Sequence, residues 1–384
     1  MMHRIYLDNA ATTPVAQAVM EVMMKAMQEN YGNPSSIHAE GRTARAAIEQ
    51  ARKTVAECIG ASIGEVFFTS GGTESNNMVL KCAVRDLGVE RIISSPIEHH
   101  CVLHSLDVLN KDGAVEVVML HLDEKGHIDL EELEGLLQTG DKKTMVSLMH
   151  SNNEIGTMID MDAISELCAS HDAYFHSDTV QTIGYFPIDA SKTRISFLTG
   201  SGHKFHGPKG VGFIYINGDN IIKPFLDGGS QERNMRGGTE NLYGIIGLAK
   251  ALELAHEQQE VRREKIQSLK TYLKKQLEAN FEDIRFNGDP EGRSHYKVLS
   301  ASFPNLPKAD LLLLNLDIAG ISVSGGSACS SGVDTGSHVI NALYPDSQRK
   351  TIRFSFSHHN TIEELDFLVG KLKEILPELV VHPV

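Results

Sequence analysis

The sequence predicts an α/β fold with a mainly parallel β-sheet. Short apolar runs rich in β-branched and aromatic residues alternate with segments of helical periodicity, which is typical of βαβ units. Polar or glycine-rich turns follow several of these runs, and the carboxyl ends of strands are where such folds bind ligands. A chain of 384 residues with 41% hydrophobic content can form a large core and suggests two domains.

The first predicted domain comprises residues 16–256 and begins with helices at 16–28 and 44–59. A strand at 65–69 is followed by glycines and by a helix that continues through residue 84. Strand-like and helix-like segments then alternate through 91–94, 102–109, 114–120, 130–137, 144–149, 161–171 and 173–176. Two further strands, at 194–199 and 210–216, enclose a tight turn.

The second predicted domain comprises residues 257–384. A long helical region, from residue 240 to about 281, carries the chain out of the first domain. Strands are then predicted at 298–303, 321–323 and 352–356, and helices at 309–316, 337–343 and 362–375. This order of elements indicates a smaller α/β domain with a Gly/Ser-rich loop at 322–332.

The charge and hydropathy patterns exclude several classes of protein. A formal net charge of -14 argues against nucleic acid or an anionic membrane as the main partner, because basic patches usually bind both. No run approaches the roughly 20 apolar residues of a spanning helix, and the first residues lack the apolar core of a signal peptide. We therefore expect a cytoplasmic protein with neither DNA nor membrane as a partner.

The five cysteines are odd in number and scattered, which suits a reducing compartment better than a disulfide framework. Cys58, Cys82, Cys101 and Cys168 lie in periodic or apolar contexts and are predicted to be small core residues. Cys329 differs, because it lies in the Gly/Ser-rich loop, where almost nothing could anchor it in a core.

Lys204 lies in the turn Ser-Gly-His-Lys-Phe-His-Gly-Pro-Lys-Gly between the two predicted strands at 194–199 and 210–216. Gly202 and Gly207 would let the backbone approach a ligand closely, and a lysine held among polar neighbours suits covalent attachment of a carbonyl cofactor. The alternative is a surface turn with a solvated lysine.

Asp178 ends an apolar run, Tyr-Phe-His-Ser-Asp, that precedes this turn. A carboxylate at the carboxyl end of a strand can keep the ring nitrogen of pyridoxal phosphate protonated, as the chemistry of that cofactor requires. Asp178 and Lys204 therefore suggest that one cofactor binds between them.

An anion site is indicated where the strand at 65–69 is followed by Ser70-Gly-Gly-Thr-Glu74 and a helix. The first amides of a helix have no partners within the helix, and the helix dipole favours negative charge there. Thr73 can act both as N-cap and as a phosphate donor, although an ordinary capped helix has the same pattern.

Together these motifs resemble those of the cysteine desulfurases, fold-type I pyridoxal 5′-phosphate enzymes of the class V aminotransferase group. The resemblance extends from Tyr6-Leu-Asp-Asn-Ala-Ala-Thr-Thr-Pro14 to Arg353-Phe-Ser355. It implies a mainly parallel seven-stranded sheet in the large domain and an N-terminal arm, residues 1–15, associated with the small domain. It also implies a homodimer that takes L-cysteine as its substrate.

The resemblance implies a cofactor site built from many parts of the chain. Lys204 would bind the cofactor and act as the base, and Asp178 would pair with the ring nitrogen. Gln181 and Asn153 would bind the phenolic oxygen of the ring, and Asn153 would also contribute to the substrate site. The phosphate would be held by Gly72, Thr73, Ser201 and His203, and by Thr239 from the partner subunit.

His99, in Glu-His-His-Cys, matches the histidine that stacks on the cofactor ring in this family and takes part in catalysis. A metal site is the competing interpretation, because His100 and His104 are spaced i, i+4 with Cys101 between them. No fourth ligand is evident, and a helix would direct Cys101 away from these two histidines. We therefore predict no metal.

Arg353 is the candidate for binding the substrate carboxylate, because a guanidinium group can bind a carboxylate through two N–H groups. A structural ion pair is the alternative. By resemblance, Cys329 would be the nucleophile that takes the sulfur of L-cysteine, leaving a persulfide on the enzyme and releasing alanine. Its loop resembles the long-loop branch, which supplies iron–sulfur cluster assembly and tRNA thiolation, except that Gly325-Gly326 replaces a single glycine.

Other functions explain fewer of these residues. A related pyridoxal-phosphate lyase, or an aminotransferase, needs no cysteine in a glycine-rich loop. A non-catalytic iron–sulfur scaffold would have several clustered cysteines and leaves Lys204 and Asp178 unexplained. A P-loop is disfavoured, since Pro208 precedes Lys209. We therefore predict a cysteine desulfurase that passes sulfur to an iron–sulfur scaffold or another sulfur-acceptor protein.

Overall fold

The computed structural model describes residues 4–140, 142–306, 309–325 and 336–381. Its centre is a seven-stranded sheet in the order β2-β8-β7-β6-β5-β3-β4. The strands are β2 (Val66–Thr69), β3 (Arg91–Ser94), β4 (Glu116–Met119), β5 (Thr144–Ser147), β6 (Tyr174–Asp178), β7 (Phe197–Ser201) and β8 (Gly212–Ile216). Strands β4, β3, β5, β6 and β7 are mutually parallel, whereas β8 is antiparallel to both of its neighbours.

Helices cover this sheet, and the apolar pattern of the strands reflects their burial. The helices of this part of the chain are α1 (Gln17–Glu29), α2 (Ala39–Cys58), α3 (Gly72–Leu87), α4 (His100–Lys111), α5 (Leu130–Gln138), α6 (Met161–Ser170), the one-turn α7 (Gln231–Asn234) and α8 (Leu242–Glu257). All four residues of each of β2, β3 and β5 are buried, because the sheet is covered on both faces. Strand β4 lies at an edge and is partly exposed.

A buried ion pair connects α2 to the loop that contains α7. The guanidinium of Arg52 donates to both carboxylate oxygens of Glu232 over 2.7 and 3.0 Å, and both side chains are almost fully buried. The same carboxylate accepts the backbone N–H of Phe68 in β2. The Nε of Arg52 also lies 3.2 Å from the partly exposed Glu49, but Glu232 is the buried partner, so removing either member of the buried pair should be costly.

The C-terminal part of the chain forms a second, smaller sheet. Helix α9 (Gln259–Asn280) leads to β9 (Arg285–Asn287), β10 (Val298–Phe303), α10 (Leu312–Ile318), β11 (Ile321–Ser322), α11 (His338–Leu343), β12 (Lys350–Ser355) and α12 (Ile362–Ile375). Strand β10 lies between β12 and β9 and is antiparallel to both. Helix α12 packs against α9 and α10, and its Leu365, Leu368 and Leu372 are buried in the core.

The N-terminal segment joins the C-terminal part instead of the large sheet. Strand β1 (Ile5–Tyr6) pairs in parallel with β11, and Asp8 forms a bridge with Ser355 next to the end of β12. The segment then crosses to the large sheet, where the Thr13 N–H and hydroxyl both donate to the His203 carbonyl over 2.9 Å. The segment therefore contacts both sheets.

The predicted α/β class, with a mainly parallel seven-stranded sheet, is confirmed. Strands 91–94 and 298–303 and helix 362–375 have the predicted bounds. The predicted helical region 240–281 is two helices, since Gln258 interrupts the helical backbone between α8 and α9. Strands β1 and β9 were not predicted, because runs of two and three residues carry no periodic signal. Within the described ranges, no helix is both long and apolar enough to cross a membrane.

Candidate active site

Lys204 and Asp178 follow neighbouring parallel strands. Strand β6 ends at Asp178, which pairs in register with Thr199 of β7. Strand β7 continues to Ser201, and a single 3-10 turn, Gly202–Lys204, follows it. Both side chains therefore reach the same edge of the sheet, where they line one cavity of about 290 Å³.

This cavity brings together nearly all of the predicted site residues. It is lined by Gly72, Thr73, His99, Asn153, Asp178, Gln181, Ser201, His203, Lys204 and Arg353. Two predicted residues are not among them. Thr239 lines a separate cavity of about 170 Å³, so its contact with the phosphate from a partner subunit stays a prediction. Cys329 lies outside the described residues.

The N-terminal segment closes the cavity beside Lys204. The Lys204 Nζ donates hydrogen bonds to the carbonyls of Ala10 and Ala11, each over 2.8 Å. The Nε2 of Gln181 donates to the same Ala10 carbonyl over 2.9 Å. Two backbone oxygens thus orient the lysine, and the buried Oε1 of Gln181 has no hydrogen-bond partner among the residues that the structure describes.

Each carboxylate oxygen of Asp178 accepts a hydrogen bond that fixes the side chain. Its Oδ2 accepts from Asn76 Nδ2 over 2.7 Å, and its Oδ1 accepts from the Val180 N–H over 2.9 Å. The Oδ1 of Asn76 accepts in turn from the Thr199 hydroxyl over 2.9 Å. These bonds hold a buried carboxylate in one orientation at the end of β6.

The start of α3 forms an open cradle beside the cavity. The prediction that Thr73 is the N-cap was wrong, because Thr73 is the second residue of α3 and the N-cap is Gly71. Gly71 has a φ of 152°, where a side chain would be strained, and within the described ranges no side chain caps the helix. A Cβ on Gly72 would lie 2.7 Å from Val180 Cγ2. Since the first amides of α3 have no partners within the helix, this end of the cavity is suited to an anion.

Two histidines of the cavity are held neutral by burial. Burial lowers the pKa of His203 to about 4, with the positive charge of Lys204 as the next cause. The pKa of His99 is also lowered, first by burial, while the Asp178 charge acts in the opposite direction. Both rings therefore act as neutral hydrogen-bonding groups near pH 7.

Arg353 extends from β12 into the cavity and is 1% exposed. Its NH2 donates to Asp8 Oδ1 over 2.7 Å, and its NH1 donates to the Asn153 carbonyl over 2.9 Å. The ion pair considered from the sequence is therefore present. In the described part of the chain the buried Nε of Arg353 has no hydrogen-bond partner, so the guanidinium keeps one donor that a ligand can engage.

Sequence reasoning missed several residues of the cavity. Cys101, predicted to be a core residue, packs partly buried against a core cluster, but it also lies in the first turn of α4 and lines the cavity. Its position two residues after His99 was the available signal. Asn76 and His338 also line the cavity, and Asp8, which holds Arg353, lies in the Tyr6–Pro14 motif. Cys82 and Cys168 are fully buried, as predicted.

A metal site at His100 and His104 was the competing interpretation of the sequence, and the geometry of the described residues does not favour it. The rings of His100 and His104 lie 5.3 Å apart, and His100 contacts His338 more closely, at 4.3 Å between centroids. Within the part of the chain that the structure describes, no group of three or more histidine, cysteine, aspartate or glutamate side chains could hold a metal ion.

A buried lysine lies behind the cavity. Lys297 is 0% exposed, its Nζ lies 3.9 Å from the centroid of the Tyr185 ring, and no described residue forms a hydrogen bond with this Nζ. The Tyr185 hydroxyl donates to the carbonyl of Lys204 over 2.9 Å. Burial lowers the pKa of Lys297 far below its usual value, and the charges of Lys204 and Arg353 lower it further.

The cavity and sheet together define a fold-type I pyridoxal-phosphate enzyme. Residues 5–368 match the model of the family described as "Aminotransferase class-V", and the chain belongs to that family. Members of this family depend on pyridoxal phosphate.

Two curated relatives named as cysteine desulfurases are similar to this chain over nearly its whole length. Over 384 residues the chain is 41% identical to "Cysteine desulfurase IscS" of Dictyoglomus turgidum, covering 99% of this chain and 96% of the relative. It is 42% identical to "Cysteine desulfurase IscS" of Methanosarcina thermophila over 381 residues, covering 98% and 92%.

Solved structures share the fold. One, named "NIFS-LIKE PROTEIN", is 36% identical with a TM-score of 0.90, and the match covers 98% of this chain and 100% of the other. Another, "SspA in complex with cysteine", is 30% identical with a TM-score of 0.79, covering 93% and 100%.

The residues of the cavity fit pyridoxal phosphate. A primary amine, a fixed buried carboxylate and an open helix N-terminus meet the three distinctive groups of that cofactor, its aldehyde, its ring nitrogen and its phosphate. The Gln181 Oε1, without a partner in the described ranges, is a further polar atom that a ligand can engage.

Proposed function

We propose that this protein is a cysteine desulfurase. It converts L-cysteine to L-alanine and retains the sulfur as a persulfide on Cys329. The observation that carries the proposal is the meeting of Lys204, Asp178 and Arg353 at one cavity, from two neighbouring strands and from the C-terminal sheet. The names of the curated relatives, and the cysteine in complex with SspA in the solved structure, support L-cysteine as the substrate.

Lys204 and Asp178 have different roles toward the cofactor, which follow from their functional groups. When bound, pyridoxal phosphate withdraws electrons from the substrate carbons beside the amino group. Lys204 Nζ holds the cofactor and moves the proton of the substrate's α-carbon. Asp178 keeps the ring nitrogen protonated, and its bonds from Asn76 and Val180 fix it for this role.

The remaining groups orient the ligand. Gly72, Thr73, Ser201 and His203 bind the phosphate, with Thr239 contributed by a partner subunit. Neutral His99 stacks on the ring. Asn153 and Gln181 donate to its phenolic oxygen without adding charge, Gln181 through the second N–H of the Nε2 that also donates to the Ala10 carbonyl.

Arg353 binds the substrate carboxylate. Its Nε–H, which has no partner among the described residues, can donate to one carboxylate oxygen. The NH2 group is held by Asp8, which also accepts from the Ser324 hydroxyl over 2.9 Å. Asp8 thereby sets the plane of the guanidinium before substrate arrives.

Sulfur transfer then uses a thiolate supplied by Cys329. A bond forms between the Cys329 sulfur and the substrate sulfur, and the carbon–sulfur bond of the substrate breaks with its electron pair left on carbon. Protonation of that carbon completes L-alanine, so one thiol and one L-cysteine give one persulfide and one L-alanine. The retained sulfur then passes to an iron–sulfur scaffold or another sulfur-acceptor protein.

We also propose the larger organisation. Residues 16–256 form the cofactor domain and 257–384 the small domain, with the arm 1–15 belonging to the latter, which the β1–β11 pairing supports. A homodimer is supported by α1, where Met20, Met24 and Met27 are exposed by 41 to 59%. Free thiols at all four described cysteines suit a cytoplasmic location.

The replacement Cys329→Ser tests the function. The variant should bind pyridoxal phosphate and change its absorbance when L-cysteine is added, yet form no persulfide and release almost no alanine, since a serine hydroxyl is not ionised near pH 7. Cys58→Ser, at a half-buried site on α2, is the control and should keep full turnover. If Cys329→Ser still releases alanine and sulfide at the wild-type rate, a simple lyase replaces the desulfurase.

A further inference from the structure

The side chain of Cys101 lies against the ring of His99 in the cavity. His99 is the N-cap of α4, and Cys101 occupies the first turn of that helix. The Sγ of Cys101 lies 3.0 Å from His99 Nδ1, and the backbone nitrogen of Cys101 lies 3.2 Å from the same atom. The Nδ1 of His99 is therefore within hydrogen-bond distance of both the thiol and the backbone N–H of Cys101.

The direction of these hydrogen bonds follows from the backbone amide. An amide N–H can only donate, so His99 Nδ1 must accept, and the proton of the neutral ring is then on Nε2. The thiol of Cys101 can donate to the same lone pair. Protonation of Nδ1 would set its N–H against the amide N–H, so this arrangement opposes the imidazolium form.

The thiol is itself held by the network around Asp178. Asn76 Nδ2 donates to Cys101 Sγ over 3.3 Å and to Asp178 Oδ2 over 2.7 Å. The Asn76 amide cannot be reversed without facing its oxygen toward the carboxylate. A continuous set of contacts thus links the carboxylate of Asp178 to the ring of His99 through Asn76 and Cys101.

The Cys101 thiol is suited to donating a hydrogen bond, but it is not suited to attacking the sulfur of the substrate. Burial and, after it, the charge of Asp178 raise the pKa of this thiol to about 12. A protonated thiol is a weak nucleophile but remains a donor. The ionisable groups that act on His99 are Asp178, Lys204, His338 and His104.

We propose that Cys101 is a positioning residue that holds His99 as the tautomer protonated on Nε2, so that Nε2–H is the group His99 offers to the cofactor and substrate. The inference rests on the proposed function, because it assigns the state in which His99 meets its ligand. It also assigns Cys101 no part in carrying sulfur, a role that the proposed function gives to Cys329.

Two substitutions distinguish the effect of the Cys101 hydrogen-bond donor from the effect of the space that its side chain fills. Cys101→Ser keeps a donor beside Nδ1, whereas Cys101→Ala removes it and leaves the backbone amide alone. Histidine-¹⁵N spectra of each holoenzyme, with the His99 signals identified by their loss in His99→Gln, report the tautomer and its titration. Turnover of L-cysteine gives kcat and KM, and Cys58→Ala is the control cysteine.

In the wild type and Cys101→Ser, His99 should show an unprotonated Nδ1 and a protonated Nε2. In Cys101→Ala the pKa of His99 should rise by about half a unit to one unit, because loss of a donor to Nδ1 destabilises the neutral ring. The same variant should lose about two- to tenfold in kcat with KM unchanged, and Cys101→Ser should restore most of that loss.

Two results overturn the proposal. One is a His99 titration in Cys101→Ala that matches the wild type. The other is a persulfide on Cys101 during turnover, accompanied by equal losses of activity in the serine and alanine variants, which would make Cys101 a sulfur carrier. The ¹⁵N titration needs no turnover, so it is decided even if the protein proves to have no desulfurase activity.

Discussion

Replacing Lys297 with methionine should make the cofactor-free protein more stable near neutral pH. The lysine is fully buried, its Nζ has no hydrogen-bond partner within the described ranges, and its pKa in the folded protein is far below the usual value because of burial. Methionine keeps the length and flexibility of the side chain and can contact the Tyr185 ring through sulfur.

The magnitude follows from proton linkage. In the unfolded chain the lysine pKa is about 10.4, so below that pH the unfolded state binds one proton that the folded state excludes until its own lower pKa is reached. The contribution of Lys297 to the stability of the wild type therefore falls by about 1.4 kcal/mol for each unit that the pH is lowered through this interval. The methionine variant has no such group, so its advantage should vanish near pH 10 and grow as the pH falls.

Urea unfolding of both proteins at several pH values between 7.5 and 9.5 measures this difference in the free energy of unfolding. Lys275→Met, on the exposed side of α9, controls for loss of a lysine as such and should show no pH-dependent difference from the wild type. A difference between wild type and Lys297→Met that stays constant across this range would refute the reasoning, since it would mean that the amine stays protonated on folding.

Three further predictions concern the site and its support. Lys204→Ala should prevent borohydride from fixing the cofactor to the protein, as mass spectrometry would show, and fixation that persists would mean that another amine holds it. Arg353→Lys should raise KM for L-cysteine about tenfold and leave the absorbance of the bound cofactor unchanged, because lysine keeps the charge but loses the planar fork; an unchanged KM removes Arg353 from the substrate site. Glu232→Gln should cost about 3–5 kcal/mol in the free energy of unfolding, measured by urea, because the buried Arg52 charge loses its buried partner and keeps only the partly exposed Glu49 at 3.2 Å; a loss under about 1 kcal/mol would contradict this.

Much of the site could be predicted because the α/β fold concentrates it at one edge of the sheet. Asp178 and Lys204 each follow an apolar run, so strand prediction alone places them near one another. Thr73 follows from the glycines at a helix start in the same way. The sequence predicts these residues because their roles depend on local structure.

Residues whose roles depend on distant partners were not readable. Asp8 is paired with a residue 345 positions away, and Lys297 is buried by its contacts with Tyr185 and the cavity region. Cys101 has the apolar surroundings of a core residue in sequence, yet the start of α4 turns it toward the cavity. No local periodicity records such contacts, because they form only when the two sheets meet.

The N-terminal segment gives the site an order of assembly. Its carbonyls at Ala10 and Ala11 hold Lys204, and its Asp8 holds Arg353 of β12, which follows the whole large sheet in the chain. The sheet that carries Asp178 and Lys204 can form during synthesis, but the guanidinium and its carboxylate partner meet only after β12 has emerged. A nascent chain therefore has the means to capture cofactor before it can bind and orient an amino acid, so that substrate binding waits for β12.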